Sequence, residues 1–397
     1  MAGSRWVHVL GGGEWQVPTI KLAKASGYRV LCTDIYSERP GYAYADEHVV
    51  ADIADNVATL EIAKRARIDG IICDTTDVGV PTMAYVAEQM GLPGIGYETA
   101  LNFTNKFLMR EITSAAGVPN PQFRLVGDRG DVVAAAADIG FPLVVKPVAS
   151  QSSRGVHVVR TADALESAFE EASHYARNGQ VIAEGFIDGT EVTVEGYCLE
   201  GEPLISGISD KDHFAHRPEV ANRITYPADL PASVMARIRE VNTAVVQSLG
   251  LRTGVTHAEY MVAGGEVYLV EIAARGGGSR IHTHIAPYLA GVCIPQLYLD
   301  FVMGGMPTTR PDGVARAANL AFFAFPAGTV TGIDGVAEAA VLPGVEELHL
   351  EFAVGDRLEP PDDDRSRPGY VVVFGANRAE VLSITADVFE RVRVTIA

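Results

Sequence analysis

A lysine inside an apolar segment is the first residue of this 397-residue chain that suggests chemistry. Lys146 lies in the run Pro-Leu-Val-Val-Lys-Pro, part of a predicted strand from Phe141 to Pro147. A buried ammonium group is costly unless it meets an anion, although a lysine can also reach the surface along its methylene chain. The next loop, Gln-Ser-Ser-Arg-Gly, contains Ser153 and Gly155 and could cover a polyphosphate with hydroxyl and backbone N–H groups. It is not a Walker loop, because Gly-x-x-x-x-Gly-Lys-Ser/Thr is absent.

Two glutamates on neighbouring predicted strands form the second candidate site. Glu259 lies on a strand from His257 to Ala263 and Glu271 on a strand from Val267 to Ile272, with Gly264-Gly265 between them. A three-residue turn would place the two glutamates directly opposite each other, with their Cβ atoms ~5 Å apart. Paired carboxylates repel unless they share a proton or a cation, and Mg²⁺ is commonly held by one or two carboxylates plus substrate phosphates. Unless both glutamates simply face solvent at a sheet edge, carboxylate-bound magnesium beside a lysine-bound polyphosphate indicates an ATP site.

One arginine and three histidines lie close to these glutamates in the sequence. Arg275 follows the second glutamate by four residues and precedes three glycines, which let backbone and substrate approach closely. An arginine there can hold a carboxylate or a transferring phosphoryl group bidentately. His257 faces the same way as the first glutamate, so it either orients a ligand or is a hydrogen-bonded structural histidine. His282 and His284 have strand-like spacing, but without a third strong ligand we do not expect a transition-metal site.

Composition limits the classes of function. The chain has 50 acidic and 32 basic residues and a net charge of −18, which argues against a general nucleic-acid binder. A local cationic pocket can still bind a small anion. No apolar run approaches the ~20 residues that span a bilayer, so we expect no membrane partner. The cysteines lack Cys-x-x-Cys spacing and are predicted to be reduced thiols of a cytoplasmic protein: Cys32, Cys73, Cys198 and Cys293.

The first hundred residues alternate predicted strands and helices, which indicates a parallel sheet covered on both faces. The turns Gly11–Gly13 and Asp74–Asp77 each follow a strand, so both should lie at the carboxyl edge, where such sheets bind ligands. Because position 16 is Gln, the Gly-x-Gly-x-x-Gly pattern is incomplete. The glycine turn is therefore either a tight strand-to-helix connection or a contact to a small ligand or phosphate at a helix start.

Five short motifs, taken in order, resemble those of one enzyme superfamily. They are Lys106 in Asn-Lys-Phe, Lys146 in Val-Val-Lys-Pro, Glu184 to Glu191, His257-Ala258-Glu259, and Glu271 to Arg275. Over nearly 170 residues their order and spacing resemble the ATP-grasp superfamily of carboxylate–amine ligases, in particular its bacterial L-amino-acid ligase and biotin-carboxylase-like branch. The segments Gly91–Gly94 and Arg367–Tyr370 fit the flanking domains of that branch.

The resemblance implies an α/β chain of three domains. Residues 1–100 would form an N-terminal parallel-sheet Rossmann-like domain. Residues 101–310 would form the ATP-grasp fold, of α+β class, with a small lid subdomain at about 115–190. Residues 311–397 would form a C-terminal α+β domain.

The resemblance also implies site residues. Lys106 and Lys146 would bind the phosphates, and Ser153 and Gly155 would belong to the loop that covers them. Glu184 and Ile187 would line the adenine hinge, and Glu191 would bind the ribose. Lys146 would also lie near the adenine. Glu259 and Glu271 would ligate Mg²⁺. Arg275 would stabilise an acyl phosphate and its transition state, and His257 is the second candidate catalytic residue.

One position departs from the family pattern. The family usually has Asn two residues after the second metal glutamate, where this chain has Ala273. One oxygen ligand is thereby lost, so the chain is expected to bind either one or two Mg²⁺ ions, the second weaker, completed by water or held by another side chain.

The expected function is an ATP-dependent ligase that joins a small carboxylate to an amine, both amino-acid-like, through an acyl phosphate. Substrate-contact candidates come from loops near the expected site: Asp77, Lys211, His213, Arg217, Ser279 and Arg280. The charged stretch 211–217 could equally be a solvated loop. Two alternatives are a carboxylase-type enzyme that activates bicarbonate as carboxyphosphate and a nucleotide-binding protein without catalysis. Family members are often dimers, which suggests a homodimer but leaves the oligomeric state open.

Overall fold

A computed structural model of the chain describes residues 5–150, 154–176 and 179–397. Ser153, predicted to belong to the phosphate-covering loop, lies outside the described residues. Within them, no single helix is long and apolar enough to cross a membrane. One pair of helical segments, 281–290 and 294–302, has the length and apolar composition of a membrane span when the two are taken together, but it is bent by 111° at the break between them.

The N-terminal unit is a four-stranded parallel sheet in the order β3-β2-β1-β4, which confirms the predicted α/β class. Its elements are β1 (Trp6–Leu10), α1 (Val17–Ala25), β2 (Arg29–Asp34), β3 (Glu47–Val50), α2 (Asn56–Ala66), β4 (Gly70–Ile72) and α3 (Val80–Met90). Strand β3 was not predicted, because it is an edge strand whose residues are mostly exposed and form no long apolar run.

The two predicted turns meet at the carboxyl edge of this sheet. Gln16 Nε2, just after the glycine turn, donates to Thr75 Oγ1 at 2.6 Å. The Thr19 hydroxyl donates to the Asp74 carboxylate. The expectation that both turns share one edge is therefore confirmed.

The second sheet has four antiparallel strands in the order β5-β8-β6-β7 and corresponds to the predicted lid. Its strands are β5 (Phe123–Val126), β6 (Leu143–Pro147), β7 (His157–Val159) and β8 (Val181–Gly185). Helices α6 (Arg129–Ile139) and α7 (Leu165–Tyr175) cover it, and α4 (Tyr97–Thr104) and α5 (Lys106–Ala115) precede it. The Asn105 side chain caps α5 by accepting from the backbone N–H groups of Phe107 and Leu108.

A central antiparallel sheet of eight strands has the order β13-β12-β9-β10-β11-β14-β18-β16. Its first five strands in chain order are β9 (Thr190–Leu199), β10 (Glu202–Phe214), β11 (Arg217–Tyr226), β12 (Gly254–Ala263) and β13 (Glu266–Ala273). Helices α8 (Ala232–Ser248), α9 (Ala286–Ala290) and α10 (Ile294–Val302) pack beside them. The stretch 211–217 is consequently not a solvated loop but the tip of the β10–β11 hairpin.

The C-terminal segment continues the same central sheet through β14 (Ala317–Phe322), β16 (Val345–Leu350) and β18 (Gly369–Gly375). Only β15 (Gly328–Asp334), β17 (Arg357–Leu358) and β19 (Arg393–Ile396) form a separate small sheet. Helices α11 (Val336–Ala340) and α12 (Arg378–Arg391) complete the segment. The predicted boundary at residue 310 therefore falls between strands of one sheet, and the three-domain division stays a prediction.

A buried histidine in β1 makes stability depend on pH. His8 is fully buried with Nε2 2.5 Å from Thr33 Oγ1, and burial lowers its pKa from 6.5 to about 3. Unfolding therefore takes up a proton below pH 6.5, so the contribution of this neutral histidine is complete above pH 6.5 and is lost as the pH falls toward 3. Relative to His8→Gln, the wild-type free energy of unfolding should fall by ~1.4 kcal/mol per pH unit. Urea unfolding of both proteins at pH 7, 6 and 5 measures this difference; parallel pH profiles would contradict it.

Candidate active site

A cavity of about 1250 Å³ lies where the lid, the central sheet and the carboxyl edge of the N-terminal sheet meet. Most of the predicted site residues line it: Lys106, Lys146, Glu184, Ile187, Glu191, Lys211, His213, His257, Glu259, Glu271, Arg275 and Ser279. They come from six strands of two sheets, the start of α5 and the loops after β8 and β13. The fold thus brings together side chains that lie up to 173 residues apart in the sequence, from Lys106 to Ser279.

At the lid side, Lys146 is buried and does not reach the surface. Its Nζ lies 2.7 Å from Glu184 Oε2, and Arg110 Nε donates to Glu184 Oε1 at 2.8 Å. Burial lowers the pKa of Lys146, opposed by the nearby Glu184 carboxylate. Arg110 was missed in the sequence, although it lies four residues after Lys106 and so on the same helix face.

The two predicted metal glutamates are directly opposed, as expected, but for a different reason. The turn contains two residues, Gly264 and Gly265, since Ala263 already pairs with Glu266. Tyr260 pairs with Leu269, whereas Glu259 pairs with Glu271, so a β-bulge on the second strand shifts the register by one residue between these two pairs. The predicted three-residue turn was therefore wrong, and the bulge compensates for it.

Arg110 also contacts this bulge. Its Nη2 donates to the carbonyl of Val270 at 2.6 Å. The extra residue on the bulged strand leaves a backbone group that the sheet ladder does not pair in the usual way, and the guanidinium satisfies it. Arg110 thereby links Glu184, which is predicted to line the adenine hinge, to the strand that carries Glu271.

Ammonium groups cover both opposed carboxylates. Lys106 Nζ lies 2.9 Å from Glu271 Oε2 and donates to the carbonyl of Ser150 at 2.8 Å. Lys211 Nζ lies 2.6 Å from Glu191 Oε1 and also contacts Glu259 Oε1. Burial alone would raise the pKa of Glu271, but the neighbouring Lys106, Lys146 and Arg275 hold it well below its usual range.

A buried glutamate that was missed in the sequence orients His257. Glu195 Oε1 lies 2.7 Å from His257 Nδ1 and accepts from the hydroxyl of Tyr226 at 3.3 Å. The period-2 series Glu191, Thr193, Glu195 on β9 could have indicated it, because the three residues share one face of the strand. With Nδ1 bonded to Glu195, the other ring nitrogen of His257 lies 3.8 Å from Glu259.

Arg275 is held by a residue of the N-terminal unit. Its Nε and Nη2 donate to the two carboxylate oxygens of Asp77 at 3.0 and 2.7 Å. The glycine after it, Gly276, packs against the ring of His282, leaving no room for a Cβ atom. His282 is buried, and burial lowers its pKa to about 4, so a neutral imidazole packs against this loop.

We expect Gly276→Ala to lower turnover at least ~10-fold, because the new methyl group must displace His282 or the loop that positions Arg275. Gly332→Ala is the matched control, since Gly332 lies outside the cavity lining and a Cβ atom there meets Thr395 at 3.5 Å, an ordinary contact. Steady-state ADP release measures both variants. Equal rates for the two would contradict the positioning role of this packing.

Four other predicted site residues lie apart from the cavity lining. Asp77 bonds Arg275 as described, and Gly155, with φ +71°, packs against Tyr175 and Pro147 behind the lid sheet. Arg217 pairs with Glu219 and the exposed Asp362 at the outer end of the hairpin. Arg280 Nε donates to Glu347 Oε1 at 3.0 Å and to the Tyr370 hydroxyl at 3.2 Å. Arg217 and Arg280 therefore do not line the cavity, and their assignment as substrate contacts stays a prediction.

The residues fit ATP and Mg²⁺. Two opposed carboxylates paired with ammonium groups form a set of hard oxygen donors that already holds cations. Lys106 and Lys146 supply positive charge for a polyphosphate. Among the described residues, no three His, Cys, Asp or Glu side chains form a metal site by themselves.

Comparisons with known proteins agree with this geometry. Residues 139–283 match the ATP-grasp domain, and residues 321–397 match the L-amino acid ligase C-terminal domain 2. The formate-dependent phosphoribosylglycinamide formyltransferase of Marinobacter nauticus is 28% identical over 92% of this chain and 91% of its own length.

Two relatives carry the name of amino acid ligase. The L-arginine-specific L-amino acid ligase of Bacillus subtilis is 26% identical over 81% of this chain and 80% of its own length. The crystal structure of the L-amino acid ligase from Bacillus licheniformis has the same fold, with a TM-score of 0.85 over 99% of both chains at 22% identity. The chain therefore contains an ATP-grasp domain and an L-amino acid ligase C-terminal domain, and L-amino acid ligases are among its relatives.

Proposed function

We propose that the chain joins two amino acids, or close analogues of them, into an amide at the expense of ATP. The observation that carries this proposal is the pairing of opposed Glu259 and Glu271 with a lysine-lined pocket, next to Arg275. The match of residues 321–397 to an L-amino acid ligase domain favours amino acids as substrates.

The residues of the chain would act mainly by positioning and by neutralising charge. Lys106 and Lys146 bind the phosphates of ATP, while Glu191 takes the ribose hydroxyls and the segment at Glu184 and Ile187 lines the adenine. Glu259 and Glu271 would hold Mg²⁺, which supplies neutralisation of the phosphate oxygens when bound.

In the first step, an oxygen of the substrate carboxylate attacks the γ-phosphorus, and the bond from that phosphorus to the ADP oxygen breaks. Arg275 stabilises the charge that develops on the acyl phosphate. In the second step, the deprotonated amine attacks the acyl carbon, the carbon–oxygen bond to phosphate breaks, and inorganic phosphate leaves. The proton from the ammonium group of the second substrate passes to solvent.

A second candidate uses formate as the carboxylate, since the formate-dependent relative matches more of the chain than the amino acid ligase does. The bicarbonate-activating alternative needs the same ATP site. Phosphate release with amino-acid pairs, with formate plus an amine, and with bicarbonate alone separates these reactions. Mass detection of an amide between two amino acids supports the proposal, whereas release with none of these substrates would refute the enzyme assignment.

A homodimer and a cytoplasmic location stay predictions from the resemblance and the composition. A protein of the same fold, the biotin carboxylase domain of Hydrogenobacter thermophilus 2-oxoglutarate carboxylase, was crystallised as a dimer with MgADP, which supports the nucleotide and the metal. Size-exclusion chromatography with light scattering tests the dimer directly.

A further inference from the structure

Lys211 is held by two carboxylates from different strands of the central sheet. It lies on β10, while Glu191 lies on the adjacent β9 and Glu259 on β12, one strand further. Its Nζ is 2.6 Å from Glu191 Oε1 and also contacts Glu259 Oε1. Only 7% of its side chain is exposed. The Lys211 ammonium is therefore buried beside Glu259, one of the two predicted metal ligands, and is not exposed to solvent.

A second lysine, Lys106, contacts the other predicted metal ligand, Glu271, and is held less firmly than Lys211. Among the residues that the structure describes, Lys106 pairs with one carboxylate, Glu271, and also donates to the carbonyl of Ser150, at the loop that borders the phosphate pocket. Moving it to a phosphate group therefore releases one carboxylate for a metal ion. Moving Lys211 would strip the cation from two half-buried carboxylates at once, which is unfavourable.

His213 strengthens the hold on Lys211. Its Nε2 lies 2.9 Å from Glu191 Oε2, which fixes the carboxylate that Lys211 binds through the other oxygen. The Lys211 ammonium thus neutralises carboxylates on two strands at once.

The oxygen donors that remain suffice for one divalent ion. Ala273 pairs with His257 across the two strands and offers no side-chain oxygen where the family has an amide. The Lys211 ammonium occupies Glu259 Oε1. Once Lys106 has moved from Glu271 to a phosphate, Glu259 Oε2 and the two oxygens of Glu271 are left to bind a metal ion. Mg²⁺ is commonly held by one or two carboxylates plus substrate phosphates, so this set matches a single ion.

We infer that the Lys211 ammonium takes the place of a second divalent cation, so that the chain binds ATP with one Mg²⁺. The inference rests on the proposed function for its ATP site, and it deepens that proposal by assigning Lys211 a charge-neutralising role instead of a substrate contact. Lys211 supplies the positive charge that a second ion would bring, and Ala273 lacks the side-chain oxygen that would help to bind that ion.

The test counts Mn²⁺ ions by electron paramagnetic resonance in chain saturated with one equivalent of a non-hydrolysable ATP analogue. The wild-type chain should bind one ion per nucleotide. Ala273→Asn alone should still bind one, because the ammonium remains in place. Ala273→Asn combined with Lys211→Met should bind two. Ala273→Asn combined with Lys211→Arg, which keeps a cation, is the matched control and should bind one.

Two ions in the wild-type chain, or in Ala273→Asn alone, would overturn the inference. A purely structural role of Lys211 would change the unfolding temperature without changing the ion count, so two ions in the double variant cannot come from loosened folding. The count needs no turnover: one ion in a chain that makes no amide would refute the proposed reaction and support the inference. Amide formation with two bound ions would do the reverse.

Discussion

Replacing Glu271 by glutamine is expected to reduce Mg²⁺-dependent ADP release by at least ~10³-fold, equivalent to ~4 kcal/mol of lost transition-state stabilisation. The amide can still donate an oxygen but carries no charge to hold a divalent cation opposite Glu259. The fold should persist, because Lys106 keeps the Ser150 carbonyl and an amide oxygen as partners. Circular dichroism and ADP release in saturating ATP, magnesium and amino acids measure the two effects.

Glu266→Gln is the matched control for this substitution. Glu266 begins the same strand, is about 40% exposed at its side chain and pairs with Arg237 at 3.1 Å, away from the cavity. Such an exposed pair contributes ~0–1 kcal/mol, so neither activity nor stability should change appreciably. Full activity of Glu271→Gln would remove the metal assignment.

Replacing Arg275 by lysine is expected to lower kcat by ~10²–10³-fold, the effect of removing one preorganised donor to a developing negative charge. Lysine keeps the positive charge but cannot reproduce the bidentate geometry with which Arg275 grips Asp77 and would grip a carboxylate or phosphoryl group. ADP release under single-turnover conditions isolates the chemical step from product release.

Arg316→Lys is the corresponding control. Arg316 forms a bidentate pair with Asp312, at 2.8 and 2.7 Å, outside the cavity lining. The same chemical change should leave kcat unaltered there. Equal losses in both variants would show that the effect at Arg275 is one of general stability and not of charge stabilisation in the site.

Residues whose environment is local were predicted well from the sequence. Lys146 lies inside an apolar strand, and the apolar run alone indicates that its charge needs a partner. The pairing of Glu259 with Glu271 was also predicted, yet through a three-residue turn that does not exist. The bulge that sets this pairing leaves the carbonyl of Val270 to be bonded by Arg110, which is distant in the sequence. No local sequence pattern indicates such a bulge.

Residues whose partners come from distant elements were predicted poorly. Arg280 was expected to meet a substrate, but Glu347 and Tyr370 of the C-terminal segment engage it. Glu195 was missed because its reason for burial, His257, lies on a strand 62 residues away. The stretch 211–217 was ambiguous between a loop and a site, since only the neighbouring strands β9 and β12 supply the carboxylates that pair with Lys211.

The central claim is that a substrate carboxylate is activated by phosphoryl transfer, and the fate of its oxygen tests this most directly. An amino-acid mixture labelled with ¹⁸O in the carboxylate is incubated with ATP and the chain, and the released phosphate is analysed by mass spectrometry. The account predicts one ¹⁸O atom in inorganic phosphate for every amide formed, because the carboxylate oxygen that attacks the γ-phosphorus leaves with it. Amide formation with unlabelled phosphate would contradict the account.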